Sequence, residues 1–167
     1  MKKRILSIVS VLSLVVCLSL TSLVSVRASD NSKEKIDGSY LTFAESSKGS
    51  TKSGITTRGT HLMDGDCSIT KSGVGRIYVY ASTTANHDVD YVATVIYVDR
   101  YNEKDKAWDQ IDYWKVEDFN TYYISTSKMM MVDRGYFYRV HADHVAGMDA
   151  DYPYEEATTL TDGIFIN

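Results

Sequence analysis

Cysteine and proline are scarce in this 167-residue chain, which contains 2 Cys and 1 Pro. Cys17 lies inside an apolar N-terminal run, so removal of that run would leave only Cys67 and no internal disulfide. Two cysteines also exclude a disulfide-dense scaffold and a four-thiolate zinc site. The chain lacks the Gly/Pro periodicity of a fibre, and 44% hydrophobic residues are too many for a disordered acidic tail. The length fits one domain, which its hydrophobic core must stabilise.

The N-terminus has the pattern of an export signal. Basic residues 2–4 precede an uncharged apolar run from Ile5 to Val26, and Ala28 then supplies a small residue for cleavage. This pattern predicts a signal peptide over residues 1–28 and a secreted protein. The apolar run is long enough to span a bilayer, so an uncleaved N-terminal membrane anchor remains an alternative. Lipidation at Cys17 is a further alternative, although the bulky Val16 before it is unusual for such a site.

Charge is divided unevenly between the signal and the rest of the chain. The whole chain has a net charge of −4, from 18 Lys and Arg against 22 Asp and Glu. Residues 1–28 contain four of the bases and none of the acids, so the exported part carries −8. That charge disfavours phosphate backbones and anionic bilayers. We therefore expect no nucleic-acid partner, and no membrane association after signal cleavage.

Residues 29–59 are rich in Ser, Thr, Lys and Gly and have few apolar side chains. Such a composition predicts a flexible leader, because little apolar burial offsets the entropy of ordering. Tyr40, Leu41 and Phe43 interrupt the polar stretch and could dock on the domain as a short strand. The domain itself is predicted over residues 60–167.

From residue 60 onward Val, Ile, Thr and Tyr are abundant, and no helical apolar stripe persists. Seven strands are expected, separated by turns that contain Gly, Asp or Asn. Their predicted positions are 60–70, 76–83, 89–101, 108–116, 121–132, 136–145 and 158–166. This number and spacing predict an all-β fold, a seven-strand antiparallel sandwich.

One strand is more specific than the rest. Gly135 to Ala142 reads Gly-Tyr-Phe-Tyr-Arg-Val-His-Ala, which resembles the penultimate strand of immunoglobulin and fibronectin type III-like domains. Together with Arg58-Gly59 and the terminal Thr161 to Ile164, it resembles a family of small secreted proteins of Gram-positive bacteria. The resemblance covers about residues 57–167. It implies an immunoglobulin-like fold and an extracellular location, and it implies no activity.

Motifs that could indicate catalysis or metal binding occur in unsuitable contexts. Ser125 to Lys128 matches the Ser-x-x-Lys of serine β-lactamases, but on a strand residues three apart point to opposite faces. His141 and Asp143 share a strand face while His144 points away, which leaves too few ligands for a transition metal. We therefore predict no catalytic residue, no metal and no cofactor. Calcium binding by the acidic loop at Asp149 and Asp151 remains open.

Aromatic residues are the best candidates for a binding surface, because Tyr and Trp combine apolar area with a polar group. If Val92, Ile96 and Val98 point inward, Tyr97 and Tyr101 point outward, where Arg139 and His141 could lie beside them. The free Cys67 is expected to be a buried, inert thiol.

We predict a non-catalytic binding protein at the cell exterior that recognises an unknown protein or glycan. A self-associating structural or matrix protein is the alternative, and a secreted effector or toxin-like protein is less favoured.

Overall fold

The computed structural model describes residues 35–51 and 59–167. A short 3-10 helix at Asp149–Asp151 joins two of the strands. In the described ranges, no helix has the length and apolar character needed to cross a membrane. The predicted signal peptide lies outside the described residues. The strands are β1 (Lys35–Ile36), β2 (Ser39–Thr42), β3 (Ser46–Ser50), β4 (Leu62–Lys71), β5 (Arg76–Asn102), β6 (Ala107–Met131), β7 (Tyr136–Gly147), β8 (Glu155–Leu160) and β9 (Gly163–Ile166).

A long antiparallel ribbon of β5 and β6 organises the fold. β4 pairs with the first half of β5, β7 pairs with its second half, and β6 follows it along nearly its whole length. The register between β5 and β6 shifts between Thr84 and Val89, where extra residues on β5 form a bulge. Bulges bend a strand and increase its twist. The bend allows side chains of β4 and β7, which flank the same edge of β5, to enter one core.

The core follows the alternation of the strands. In the first half of β5, Ile77, Val79 and Ala81 are fully buried, while Tyr78 and Tyr80 between them lie on the other face. In the second half, Val92, Ile96 and Val98 point inward, which fixes the strand phase that the sequence left open. The principal cluster consists of Cys67, Ile69, Ile77, Val79, Ala81, Ile96, Val98, Tyr138, Val140, Ala142, Ile164 and Ile166.

The predicted all-β fold class is confirmed, but the architecture is a curled half-barrel sheet rather than the expected seven antiparallel strands. The described strands form one hydrogen-bonded sheet in the order β1-β2-β9-β7-β5-β4-β3, with β6 on β5 and β8 on β7. β2 pairs with β9 in parallel, and the other pairs are antiparallel. Two pairs of predicted strands are single strands. Residues 84–88 form a bulge inside β5, and residues 117–119 of β6 pair directly with residues 91–93 of β5.

Part of the predicted leader is folded. β1, β2 and β3 all lie within residues 29–59, so the expectation of a flexible leader is wrong for residues 35–50. Asp37 and Gly38 have φ values of 45° and 85°, as a two-residue hairpin turn with two left-handed positions requires. Backbone pairing with β4 orders the Ser-rich β3 without needing apolar side chains. Docking by Tyr40 and Leu41 is confirmed, since both lie in β2.

Candidate functional site

The predicted binding residues lie together on the outer face of β5 and β7. Tyr97 pairs with His141 across the two strands, and Asp99 pairs with Arg139. The rings of Tyr97 and His141 stack almost in parallel, with centroids 4.4 Å apart and an interplanar angle of 7°. Tyr97 and His141 are therefore neighbours on this face.

Two of the four predicted residues are buried rather than exposed. Tyr101 and Arg139 retain 6% and 8% of their accessible surface, so the expectation that they face solvent is wrong. The β1–β2 hairpin explains the burial of Arg139, because the Arg139 Nη1 donates to the backbone oxygen of Asp37 at 2.9 Å. The guanidinium also lies 4.5 Å from the centre of the Trp108 ring. Tyr101 packs against the Trp108 ring, with centroids 5.4 Å apart. The Arg139 and Trp108 side chains hold the β1–β2 hairpin against the sheet.

Asp99 is the charged centre of this cluster. Its Oδ2 accepts hydrogen bonds from Arg139 Nε at 2.9 Å and lies 3.0 Å from His141 Nδ1. Burial alone would raise the pKa of Asp99, but the hydrogen bonds and charges of His141 and Arg139 outweigh burial and lower it. Asp99 is not among the predicted binding residues. Strand alternation places Asp99 on the same face as Tyr97 and Tyr101. This pattern could have identified Asp99 as a site residue.

Two separate rows of aromatic rings lie along this side of the sheet, and we call them together the aromatic face. The first row contains Tyr113, Tyr97 and His141, with Tyr97 and Tyr113 centroids 6.2 Å apart. The second row lies ~20 Å away, six residues along β5. It contains Phe119, Tyr91 and Tyr154, with centroids 5.6 Å and 5.0 Å from Tyr91. Tyr113 is 63% exposed and Phe119 is 60% exposed.

Paired charges lie beside the second row. The Tyr91 hydroxyl donates to Glu117 Oε2 at 2.8 Å and accepts from Lys115 Nζ at 3.1 Å. Lys115 and Glu117 also form an ion pair, which raises the pKa of the lysine and lowers that of the glutamate. The face therefore offers apolar rings together with donors and acceptors of both charge signs.

The sequence matches a family of unknown function over residues 28–162. The chain belongs to that family, DUF6147. The match includes the Gly135–Val140 segment on which the resemblance to small secreted proteins depends. No curated protein and no solved structure matches the chain.

In this DUF6147 chain the chemically reactive side chains of the interior are held in unreactive states. Cys67 is buried as predicted, and burial raises the pKa of its thiol to about 11, so the nucleophilic thiolate is disfavoured. His144 is fully buried, and burial lowers its pKa to about 4. Its two nitrogens lie 2.9 Å from Thr83 Oγ1 and 2.8 Å from Thr159 Oγ1. These contacts form a satisfied polar network inside the core.

The Ser-x-x-Lys motif, Ser125 to Lys128, lies on a β-strand as predicted, since both residues belong to β6. Lys128 forms an ion pair with Asp112 at 2.6 Å, and Ser125 lies in the same strand. Among the described residues, no group of three or more His, Cys, Asp or Glu side chains is arranged to hold a metal ion.

The acidic loop residues have protein partners. Asp149 Oδ1 accepts from the Tyr154 hydroxyl at 2.6 Å, and Asp151 Oδ2 lies 3.1 Å from His61 Nε2. Calcium binding at Asp149 and Asp151 stays an open alternative.

Proposed function

We propose that this protein is an exported, non-catalytic binding protein that contacts a protein or glycan at the cell exterior through its aromatic face. The export signal pattern of residues 1–28 supports the location. The observation that carries the binding proposal is the row of stacked rings across β6, β5 and β7, in which Tyr113 is exposed and Tyr97 and His141 are half-buried.

The composition of the aromatic face supports binding. Clustered, exposed apolar rings are unusual on a monomeric surface and mark sites of interaction. Tyr97 is already packed between Tyr113 and His141, so little conformational entropy would be lost when a partner covers it. Aromatic residues of this kind commonly provide most of the binding energy at an interface.

The interior supports the absence of catalysis. A protonated, buried thiol at Cys67 and a neutral, buried imidazole at His144 are poorly suited to nucleophilic or acid–base chemistry on an outside substrate. On the aromatic face, the polar groups of Tyr91, Lys115 and Glu117 hydrogen-bond to one another and do not form a nucleophile–base pair.

A retention assay tests this proposal. The purified protein is passed over cell-wall glycan and, separately, over immobilised surface proteins, and the bound fraction is measured. We expect retention on one of the two materials and at least a tenfold loss of affinity, about 1.4 kcal/mol, for the double variant Tyr97→Ser, Tyr113→Ser. Tyr78→Ser is the matched control, because Tyr78 is an exposed tyrosine in the other half of β5. Equal retention of both variants would contradict the proposal.

Self-association through β6 is a second candidate that one observation favours. Among the described strands, β6 pairs only with β5, and none of its 25 residues is buried. Such a long edge presents unpaired backbone groups to a second copy. Sedimentation at increasing concentration should then reveal a dimer that Ile111→Lys weakens, because a charge on an edge strand opposes pairing. A monomer at every concentration would eliminate this candidate.

A further inference from the structure

The edge of β6 that faces away from β5 contains one regular stretch. Ile111 is a bulged residue on β6, and Asn120 has a left-handed φ of 53°. Between these two irregularities, residues 112–119 pair with β5 one to one, and among the described strands β6 has no other partner. The backbone nitrogens of Tyr113 and Phe119 donate to the carboxylates of the aspartates that precede them, at 2.9 Å and 2.8 Å. These donors therefore lie on the free edge, where the carbonyls of a further strand can replace the carboxylates.

The outward side chains of this stretch are complementary to themselves. Their order along the strand is Tyr113, Lys115, Glu117 and Phe119, so aromatic rings lie at the two ends and opposite charges lie in the middle. All four side chains are exposed. Two copies of the strand can run antiparallel about a twofold axis through Val116. Tyr113 then lies opposite Phe119 of the second copy, and Lys115 lies opposite Glu117 of the second copy.

The neighbouring registers are unfavourable. A shift that keeps the same faces together moves the twofold axis by one residue, to Lys115 or to Glu117. An axis through Lys115 places two lysines opposite each other, and it also places Asp112 opposite Asp118. An axis through Glu117 places two glutamates opposite each other. Because like charges directly opposite one another are destabilising, the charges of this edge favour the axis at Val116.

We propose that two copies of this chain join antiparallel through residues 112–120 of β6, with the twofold axis at Val116. The proposal rests on the second candidate function, self-association through β6, and specifies the register in which the two copies meet. Lys115 of each copy then lies between two glutamates. One is its own Glu117, with which it forms an ion pair, and the other is Glu117 of the second copy.

The same pairing covers the exposed rings at the edge. Tyr113 is the last ring of the first aromatic row, Phe119 is the last ring of the second row, and both are mostly exposed. In the dimer each of these rings meets the other one in the second copy, and cross-strand aromatic pairs stabilise a sheet. Since each copy contributes only one strand, the contact lies at the small end of specific interfaces. We therefore expect a dissociation constant in the micromolar range.

Exchange of the two charges tests the register. Lys115→Glu and Glu117→Lys each place like charges opposite each other at two symmetric positions, so each should weaken the dimer about tenfold in sedimentation equilibrium. The double variant Lys115→Glu, Glu117→Lys restores opposite charges across the axis and should dimerise about as well as the unmodified protein. Lys104→Glu is the matched control, because it makes the same change at an exposed position in the β5–β6 turn, outside the stretch.

A cysteine at the axis locates the interface. Directly opposite residues on antiparallel strands have Cα atoms about 4.5–5.5 Å apart, which a disulfide can span. Val116→Cys should therefore form a covalent dimer under mild oxidation, whereas Ser127→Cys, on the same strand but far from the axis, should stay monomeric. Both variants also carry Cys17→Ser, so that the buried Cys67 is the only other thiol.

Two results would overturn the proposal, and they differ in what they leave standing. A dimer that Val116→Cys does not cross-link, and whose affinity the charge variants do not change, would show that the copies associate through another surface. A protein that stays monomeric at every concentration would eliminate both the register and self-association, and would leave the edge available to a strand of a different protein. Binding of glycan or protein by the aromatic face is measured separately, by the retention assay.

Discussion

His144 is a buried imidazole whose environment admits only the neutral form. Both ring nitrogens have threonine partners, and the ring packs so closely against Gly65 that a Cβ at that position would overlap it. Burial lowers its pKa to about 4, even though Asp143, Asp66 and Asp64 act in the opposite direction. The unfolded chain therefore binds a proton at this histidine at a higher pH than the folded protein does.

This difference predicts acid destabilisation at a moderate pH. Because the folded pKa is below the unfolded value of 6.5, the stabilisation is complete above pH 6.5 and is lost as the pH falls toward 4. Between pH 7 and pH 5 the free energy of unfolding should decrease by about 2 kcal/mol. Denaturant titrations at both values measure this.

His144→Gln is the control for the pH effect, since glutamine keeps polar atoms between Thr83 and Thr159 but does not titrate. Its stability should be nearly constant from pH 7 to pH 5. The lowered pKa values of Asp99 and Glu155 cause losses only as the pH falls below the ordinary carboxylate range. If the variant were as sensitive to pH as the unmodified protein, His144 would not be the cause.

At the scale of elements, the β1–β2 hairpin depends on one buried ion pair. Arg139 joins Asp99 in β5 to the backbone oxygen of Asp37 and to Ser39 Oγ in the hairpin. Replacing one member of such a pair leaves the other buried without its partner, which typically costs about 3–5 kcal/mol. Arg139→Met should therefore lower the free energy of unfolding by about 3 kcal/mol and accelerate amide exchange in β1 and β2.

The matched control for Arg139 is the more exposed ion pair of Arg100 and Asp133, with a 3.1 Å separation. Arg100→Met should cost less than about 1 kcal/mol, because solvent screens surface pairs. Similar losses for both variants would show that the hairpin does not depend on the buried pair. Denaturation and hydrogen exchange measure both effects.

Much of the strand content could be predicted from the sequence, because period-2 alternation is local. β4 and β7 lie close to their predicted positions. The prediction failed at residues 84–88, which form a bulge inside β5, and at residues 117–120, where the polar residues continue β6 and 117–119 pair with residues 91–93 of β5. It also failed for β3, since its pairing with β4 uses backbone atoms and leaves no apolar pattern.

The candidate site was predictable only in part. Strand alternation placed Tyr97 near His141, but it could not show that a hairpin from residues 35–42 contacts Arg139 or that Trp108 packs against Tyr101. No local sequence pattern indicated that His61 lies close to His87 in the fold. This proximity depends on Glu155, which is distant in sequence and fixes the backbone of residues 60–62.

At the scale of the folded unit formed by residues 35–51 and 59–167, the curled sheet separates three surfaces. The aromatic face lies outside β5, β6 and β7, the pair of His61 and His87 lies at the bend of β5, and β6 forms a long edge. The side chains of Cys67 and His144 are buried in the interior of the sheet. The aromatic face and the edge share β6, because Tyr113 and Phe119 lie on that strand.

The central claim is that the aromatic face binds a partner at the cell exterior. The most direct test is to add soluble fragments of the retained glycan or protein to the isotope-labelled protein and map the shifted amide resonances. The account predicts shifts concentrated at residues 91–97 of β5, 113–119 of β6 and 141–145 of β7. Shifts confined to residues 76–84 of β5 or to β3 and β4, with the aromatic face unchanged, would contradict it.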